Sequence, residues 1–95
     1  MNDMLNRLEL IIQDRKNNPK PDSYTSGLFD TGVNRIAQKV GEEAVEVVVA
    51  ALGQGREEQI GETADLFFHT LVLLSALDLS LDDICAELER RHHPQ

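Results

Sequence analysis

Glu62-Thr63-Ala64-Asp65-Leu66-Phe67-Phe68-His69-Thr70-Leu71-Val72-Leu73-Leu74-Ser75-Ala76-Leu77 is the stretch that decides the fold of this 95-residue chain. In its second half, Leu66, Phe67, Phe68, Leu71, Val72, Leu73, Leu74, Ala76 and Leu77 leave no polar face at helical spacing. A helix that is apolar all round has to be covered all round. Three or four short helices from the same chain can hardly do that. The expectation is an all-α bundle of four to five helices, one domain over residues 1–95, with its core completed by a second copy. The first half of the stretch differs. Glu62, Asp65 and His69 fall within an arc of roughly 60° on the helical wheel, and one turn later Leu73 and Ala76 close that arc. A solvated face does not narrow and stop in this way.

A second acidic group lies upstream in Gly41-Glu42-Glu43-Ala44-Val45-Glu46. It sits in a predicted helix from Val33 to Leu52, where Ile36, Ala37, Val40, Ala44, Val47, Val48 and Ala51 share one broad face. The other face collects Arg35, Lys39, Glu42, Glu43 and Glu46. Taken alone, such a run is most simply a wet surface. Read with the later stretch, it becomes half of a site. Glu43 and Glu46 stand three residues apart, as do Glu62 and Asp65, a spacing that puts Cβ atoms about 5–6 Å apart on one face. Gly53-Gln54-Gly55 turns the chain back, so the two pairs face each other on antiparallel helices. At an effective dielectric of about 20, two like charges about 5 Å apart repel by roughly 3 kcal/mol. Gathered carboxylates therefore protonate or take a cation. Oxygen donors select Mg²⁺, with Mn²⁺ the alternative. The expected metal set is Glu43, Glu46, Glu62 and Asp65.

Arg35 and Lys39 continue the same line down the helix. They either pair with acids along it, as Lys39 would with Glu43, or clamp phosphate beside the metal. His69 is either a satisfied core histidine or a contact above Asp65 to the site or its substrate.

The remaining segments frame these two helices. Met4, Leu5, Leu8, Ile11 and Ile12 predict an amphipathic helix over residues 3–16, stopped by Asn17-Asn18-Pro19-Lys20-Pro21. Asp22 to Asp30 shows no sustained period and reads as a long loop. Its Ser23, Tyr24, Thr25 and Ser26 are hydroxyl-bearing and suited to phosphate or sugar. The plainer alternative is a linker tacked down by Tyr24 and Phe29. Ser80-Leu81-Asp82-Asp83 reads as a capping box opening a last helix, with Cys85 in its core pattern and basic Arg90-Arg91-His92-His93 at its end.

Bulk properties narrow the function. A net charge of −8 disfavours a general nucleic-acid binder, yet a bound cation can reverse the local field for a nucleotide. One cysteine gives no internal disulfide and fits a reducing cytoplasm. Met1-Asn2-Asp3 lacks the basic and apolar regions of a signal peptide. Leu66 to Leu79 is too short and polar to span a bilayer.

Ser23-Tyr24-Thr25, Arg35-Ile36-Ala37-Gln38-Lys39-Val40-Gly41-Glu42-Glu43-Ala44-Val45-Glu46, and Glu62-Thr63-Ala64-Asp65-Leu66 with His69 and Leu71-Val72-Leu73-Leu74 together resemble the phosphoribosyl-ATP pyrophosphohydrolase family. The resemblance runs from the first helix to Arg91-His92, with the motifs in family order. Ser26 stands where the family often has Ala, and Phe68 where Tyr is common. The likeness implies a Mg²⁺-binding, MazG-like all-α homo-oligomer, most simply a homodimer. It would release pyrophosphate from phosphoribosyl-ATP in histidine biosynthesis, with any cyclohydrolase activity on a separate chain. Within that superfamily the alternative is a housecleaning nucleoside triphosphate pyrophosphohydrolase. From another class comes a non-catalytic helical oligomer that binds a partner through its acidic face.

On this reading Glu43 and Glu46 hold the metal with Glu62 and Asp65, and Glu42 orients or deprotonates the attacking water. Arg35 and Lys39 bind phosphates, and Ser23, Tyr24, Thr25 and His69 are the other substrate-binding candidates.

Overall fold

Pro19 and Pro21, the turns at Gly32 and Gly53-Gln54-Gly55, and the cap at Ser80 divide the chain into five helices in the computed structural model, which describes residues 3–93. Met1 and Asn2, where the reading of the N-terminus begins, lie outside that range, as do Pro94 and Gln95. The helices are α1 (Met4–Asn17), α2 (Tyr24–Thr31), α3 (Val33–Gly53), α4 (Arg56–Ala76) and α5 (Leu81–His92). No strand occurs among the described residues. The all-α expectation holds.

The frame is the α3–α4 hairpin, two helices of 21 residues each, about 30 Å long at 1.5 Å per residue. Glu57 and Glu58 occupy the first turn of α4, and Glu58 Oε1 accepts the Gly55 N–H at 3.0 Å. The short turn brings α4 back along α3, and α1 and α2 pack against this pair. Ile12, Leu28, Ile36, Leu71, Val72 and Leu74 form the buried core, with Leu8, Phe29, Phe68 and Leu73 packed onto it. The Ser80 capping box is present: its hydroxyl accepts from Asp83 N, and Asp83 accepts from Ser80 N.

Two sequence expectations are corrected. The segment from Asp22 to Asp30 is not a loop; from Tyr24 it is helix α2. Ser23 Oγ caps it by accepting Ser26 N–H at 3.1 Å. Ser26 Oγ donates to Arg15 O at 2.9 Å and accepts Lys20 N–H at 3.1 Å, fastening α2 to the end of α1. Eight residues are too few to display an amphipathic period, so packing and these non-local bonds decide the local state. Gly32 then turns the chain at φ +89°, a left-handed conformation costly for a side-chain-bearing residue. The second correction concerns Cys85, which is exposed: α5 buries no residue fully.

The shortage of covering surface is visible in the single chain. Phe67 is 50% exposed, and Val45, Val48, Val49, Leu52 and Ile60 are exposed as well. Among the described residues, no single helix is long and apolar enough to cross a membrane.

Candidate active site: carboxylates beside a cationic cleft

Helical spacing and the tight α3–α4 turn bring the two acidic pairs to a common region. Glu43 on α3 and Glu62 on α4 are half-buried, and Glu46 and Asp65 flank them at the surface. The Glu62 carboxyl is held above the ordinary glutamate range, first by partial desolvation and then by a hydrogen bond with Glu46. The negative charges of Glu46, Asp65 and Glu43 add to the effect. One carboxyl thus feels the charge of the other three. Among the described residues, no three His, Cys, Asp or Glu side chains are gathered tightly enough to hold a metal ion as they stand. Mutual repulsion of uncompensated carboxylates works against tighter gathering.

Glu42 belongs to a different neighbourhood. Its carboxylate accepts from Gln38 Nε2 at 3.1 Å and lies 3.5 Å from Arg35 Nη1 and 3.9 Å from Lys39 Nζ. Lys39 therefore pairs with Glu42, and not with Glu43 as i,i+4 spacing suggested. Beside these cations is a cleft of about 370 Å³ between α2 and α3, lined by Tyr24, Gly27, Leu28, Thr31, Arg35 and Lys39. Gly27, Leu28 and Thr31 escape a sequence reading that treats α2 as a loop. The cap pattern Ser23-x-x-Ser26 was the available signal.

Tyr24 also reaches the acidic side. Its hydroxyl is 2.9 Å from His69 Nε2, and His69 Nδ1 is 2.7 Å from the Asp65 carbonyl oxygen. A carbonyl only accepts, so Nδ1 carries the hydrogen, and in the neutral ring Nε2 accepts from the phenol. His69 is 6% exposed and has both ring nitrogens engaged within the chain. Phe68 packs edge-on against it, with centroids 5.0 Å apart. Ser23 is used as the α2 cap, and Thr25 is half-buried in the first turn of α2.

An all-α bundle that sets converging carboxylates beside a two-cation cleft has the make-up of a protein acting on an anionic, phosphate-bearing small molecule. Residues 5–92 match the family model described as phosphoribosyl-ATP pyrophosphohydrolase. The chain is 58% identical to a phosphoribosyl-ATP pyrophosphatase of Pyrobaculum aerophilum over 90% of each sequence. It is 53% identical to one of Geotalea daltonii, over 94% of this chain and 84% of the relative. It is 45% identical to one of Clostridium acetobutylicum, over 96% and 83%. The chain belongs to the phosphoribosyl-ATP pyrophosphohydrolase family, a family of hydrolases.

Proposed function

We propose that this chain hydrolyses phosphoribosyl-ATP to phosphoribosyl-AMP and pyrophosphate, a step of histidine biosynthesis carried out in the cytoplasm by a homo-oligomer, most simply a homodimer. The observation that carries the reading is the meeting of Glu43, Glu46, Glu62 and Asp65 beside the Arg35–Lys39 cleft, in a chain of this family. Any cyclohydrolase acting on the product would be a separate chain.

The donor set fits a hard divalent cation: four carboxylates, one already perturbed by the charge of the others. Glu43, Glu46, Glu62 and Asp65 would hold Mg²⁺, with Mn²⁺ as the substitute. Such an ion supplies charge neutralisation for a polyphosphate and an acidified water.

The chain's own groups account for the rest. Water adds across the anhydride between the first two phosphates; one P–O bond forms, and the bridging P–O bond to the leaving pyrophosphate breaks. Arg35 and Lys39 bind phosphate oxygens and stabilise the charge that develops on that leaving group. Incoming phosphates compete with Glu42 for these two cations, which frees the Glu42 carboxylate to accept the proton of the attacking water. Tyr24 and Thr25, on the first turn of α2, border the substrate, with Ser23 just before them holding the helix end in place.

The test is a panel assay with phosphoribosyl-ATP and the common nucleoside triphosphates at equal concentration. Preferential pyrophosphate release from phosphoribosyl-ATP supports the reading. Preference for the simple triphosphates points instead to a housecleaning pyrophosphohydrolase. Release from none of them leaves only the non-catalytic helical oligomer.

A further inference from the structure

We infer that Tyr24 and His69 form a positioning pair, which locks α2, the outer wall of the cationic cleft, to the carboxylate-bearing helix α4, and that His69 makes no contact with substrate. Three observations meet here. Tyr24 is 58% exposed at the cleft, yet its hydroxyl is spent on His69 Nε2 at 2.9 Å. His69 in turn is fixed by Asp65 O through Nδ1 at 2.7 Å, so neither ring nitrogen is left for a ligand. The rings of Tyr24 and Phe68, 6.2 Å apart, and of Phe68 and His69, 5.0 Å apart, hold the pair from the side.

Among the described residues, this is the hydrogen bond that ties α2 to α4. The other polar fastenings of α2 run through Ser26 to Arg15 and Lys20. Those hold one end of the cleft wall against α1. Packing of Leu28 into the core brings α2 near α4 but is not directional. The chain Tyr24 Oη, His69, Asp65 O sets the distance of α2 from the acids, because it ends on the backbone of a residue whose side chain belongs to the carboxylate cluster. Phosphate held at Arg35 and Lys39 is thereby kept at a fixed reach from the four acids. A long side chain contacting substrate directly would act differently, since its loss would remove one interaction and leave the geometry alone.

The pair's role in catalysis rests on the hydrolase reading, but the pair itself can be tested without it. Tyr24 is the chain's one tyrosine and there is no tryptophan, so near-ultraviolet absorption reports on this phenol alone. A phenol that donates a hydrogen bond absorbs at longer wavelength than one facing water. The experiment compares wild type, Tyr24→Phe, His69→Gln and the double variant. Steady-state kinetics on phosphoribosyl-ATP and thermal midpoints are measured for all four, and the tyrosine spectrum for wild type and His69→Gln.

Each single variant should lower kcat about five- to ten-fold, the scale of one lost hydrogen bond expressed as misplacement of bound phosphate, with KM changed less than about two-fold. The double variant should be no worse than the worse single one. In His69→Gln the tyrosine band should move to shorter wavelength. Effects on kcat that multiply in the double variant, a raised KM with kcat unchanged in Tyr24→Phe, or a thermal loss with no kinetic change would each overturn the inference. So would a tyrosine band that His69→Gln leaves in place. Tyr24→Phe keeps its ring contacts, so it remains informative where His69→Gln fails to fold. Wild type inactive on phosphoribosyl-ATP would refute the functional reading, and the spectrum would still decide whether the pair exists.

Discussion

Glu62 on α4 faces Glu46 on α3 across the helical hairpin, and this neighbour, after partial desolvation, holds the Glu62 carboxyl above the ordinary glutamate range. Two ionised carboxylates so placed repel each other, so the pairing favours a proton or a cation. The chain, of net charge −8, keeps these acids at a helix interface. They are held there by the same two helices that build the core.

The pH dependence of the metal-free protein follows from that contact. The folded Glu62 binds its proton more tightly than an ordinary glutamate at 4.5, chiefly through desolvation and the bond with Glu46. Its contribution to stability is therefore complete below 4.5 and is lost as the pH rises through the higher folded value. Without divalent cations, the thermal midpoint should fall as the pH is raised from 4.5. Glu62→Gln, which keeps a donor toward Glu46 at every pH, should flatten that fall. Equal slopes in the two proteins would mean that Glu62 is not the group responsible.

Ser26→Ala addresses the segment that the sequence misread. The substitution removes the bonds to Arg15 O and Lys20 N from a residue only 4% exposed. A loss of about 1–2 kcal/mol is expected, seen as a lower urea midpoint with an unchanged slope. An unaltered midpoint would show that these bonds contribute nothing to anchoring α2.

Much of the fold was legible because α3 and α4 are long and their apolar residues recur without interruption. Helix α3, expected from Val33 to Leu52, runs to Gly53, and the Ser80 box was readable from four residues. The parts that escaped depend on contacts distant in sequence. Helix α2 is held through Ser26 to Arg15, and nothing in its eight residues announces a helical period. The partner of His69 is Tyr24, 45 residues away, beyond the reach of any spacing argument. Glu42 shares the polar face of Glu43 and Glu46, so a helical wheel groups the three. Only the side-chain positions show it turned toward Arg35 and Lys39. Cys85 fits an apolar pattern, but α5 lies over too little of the chain to bury it.

The exposed apolar surface gives a prediction on assembly. An apolar groove of about 410 Å³, lined by Leu5, Leu66, Phe67, Leu71, Ile84 and Leu88 among others, lies open beside the half-exposed Phe67. A second copy covering it places wild type well above 10.6 kDa in sedimentation. Phe67→Glu would bury a charge in that contact and should shift the species toward the single-chain mass. Wild type sedimenting at 10.6 kDa would rule out the dimer.

The central claim is that the two acidic pairs act together on the polyphosphate with Mg²⁺. Pyrophosphate release from phosphoribosyl-ATP, followed against Mg²⁺ concentration in wild type, Glu46→Gln and Asp65→Asn, tests it most directly. Each variant removes one carboxylate charge at nearly constant shape. The account predicts Mg²⁺-dependent release by wild type, and a loss of about 10²-fold or more in each variant with helix content unchanged. Full activity in both variants, or wild-type release indifferent to Mg²⁺ after chelation, would contradict it.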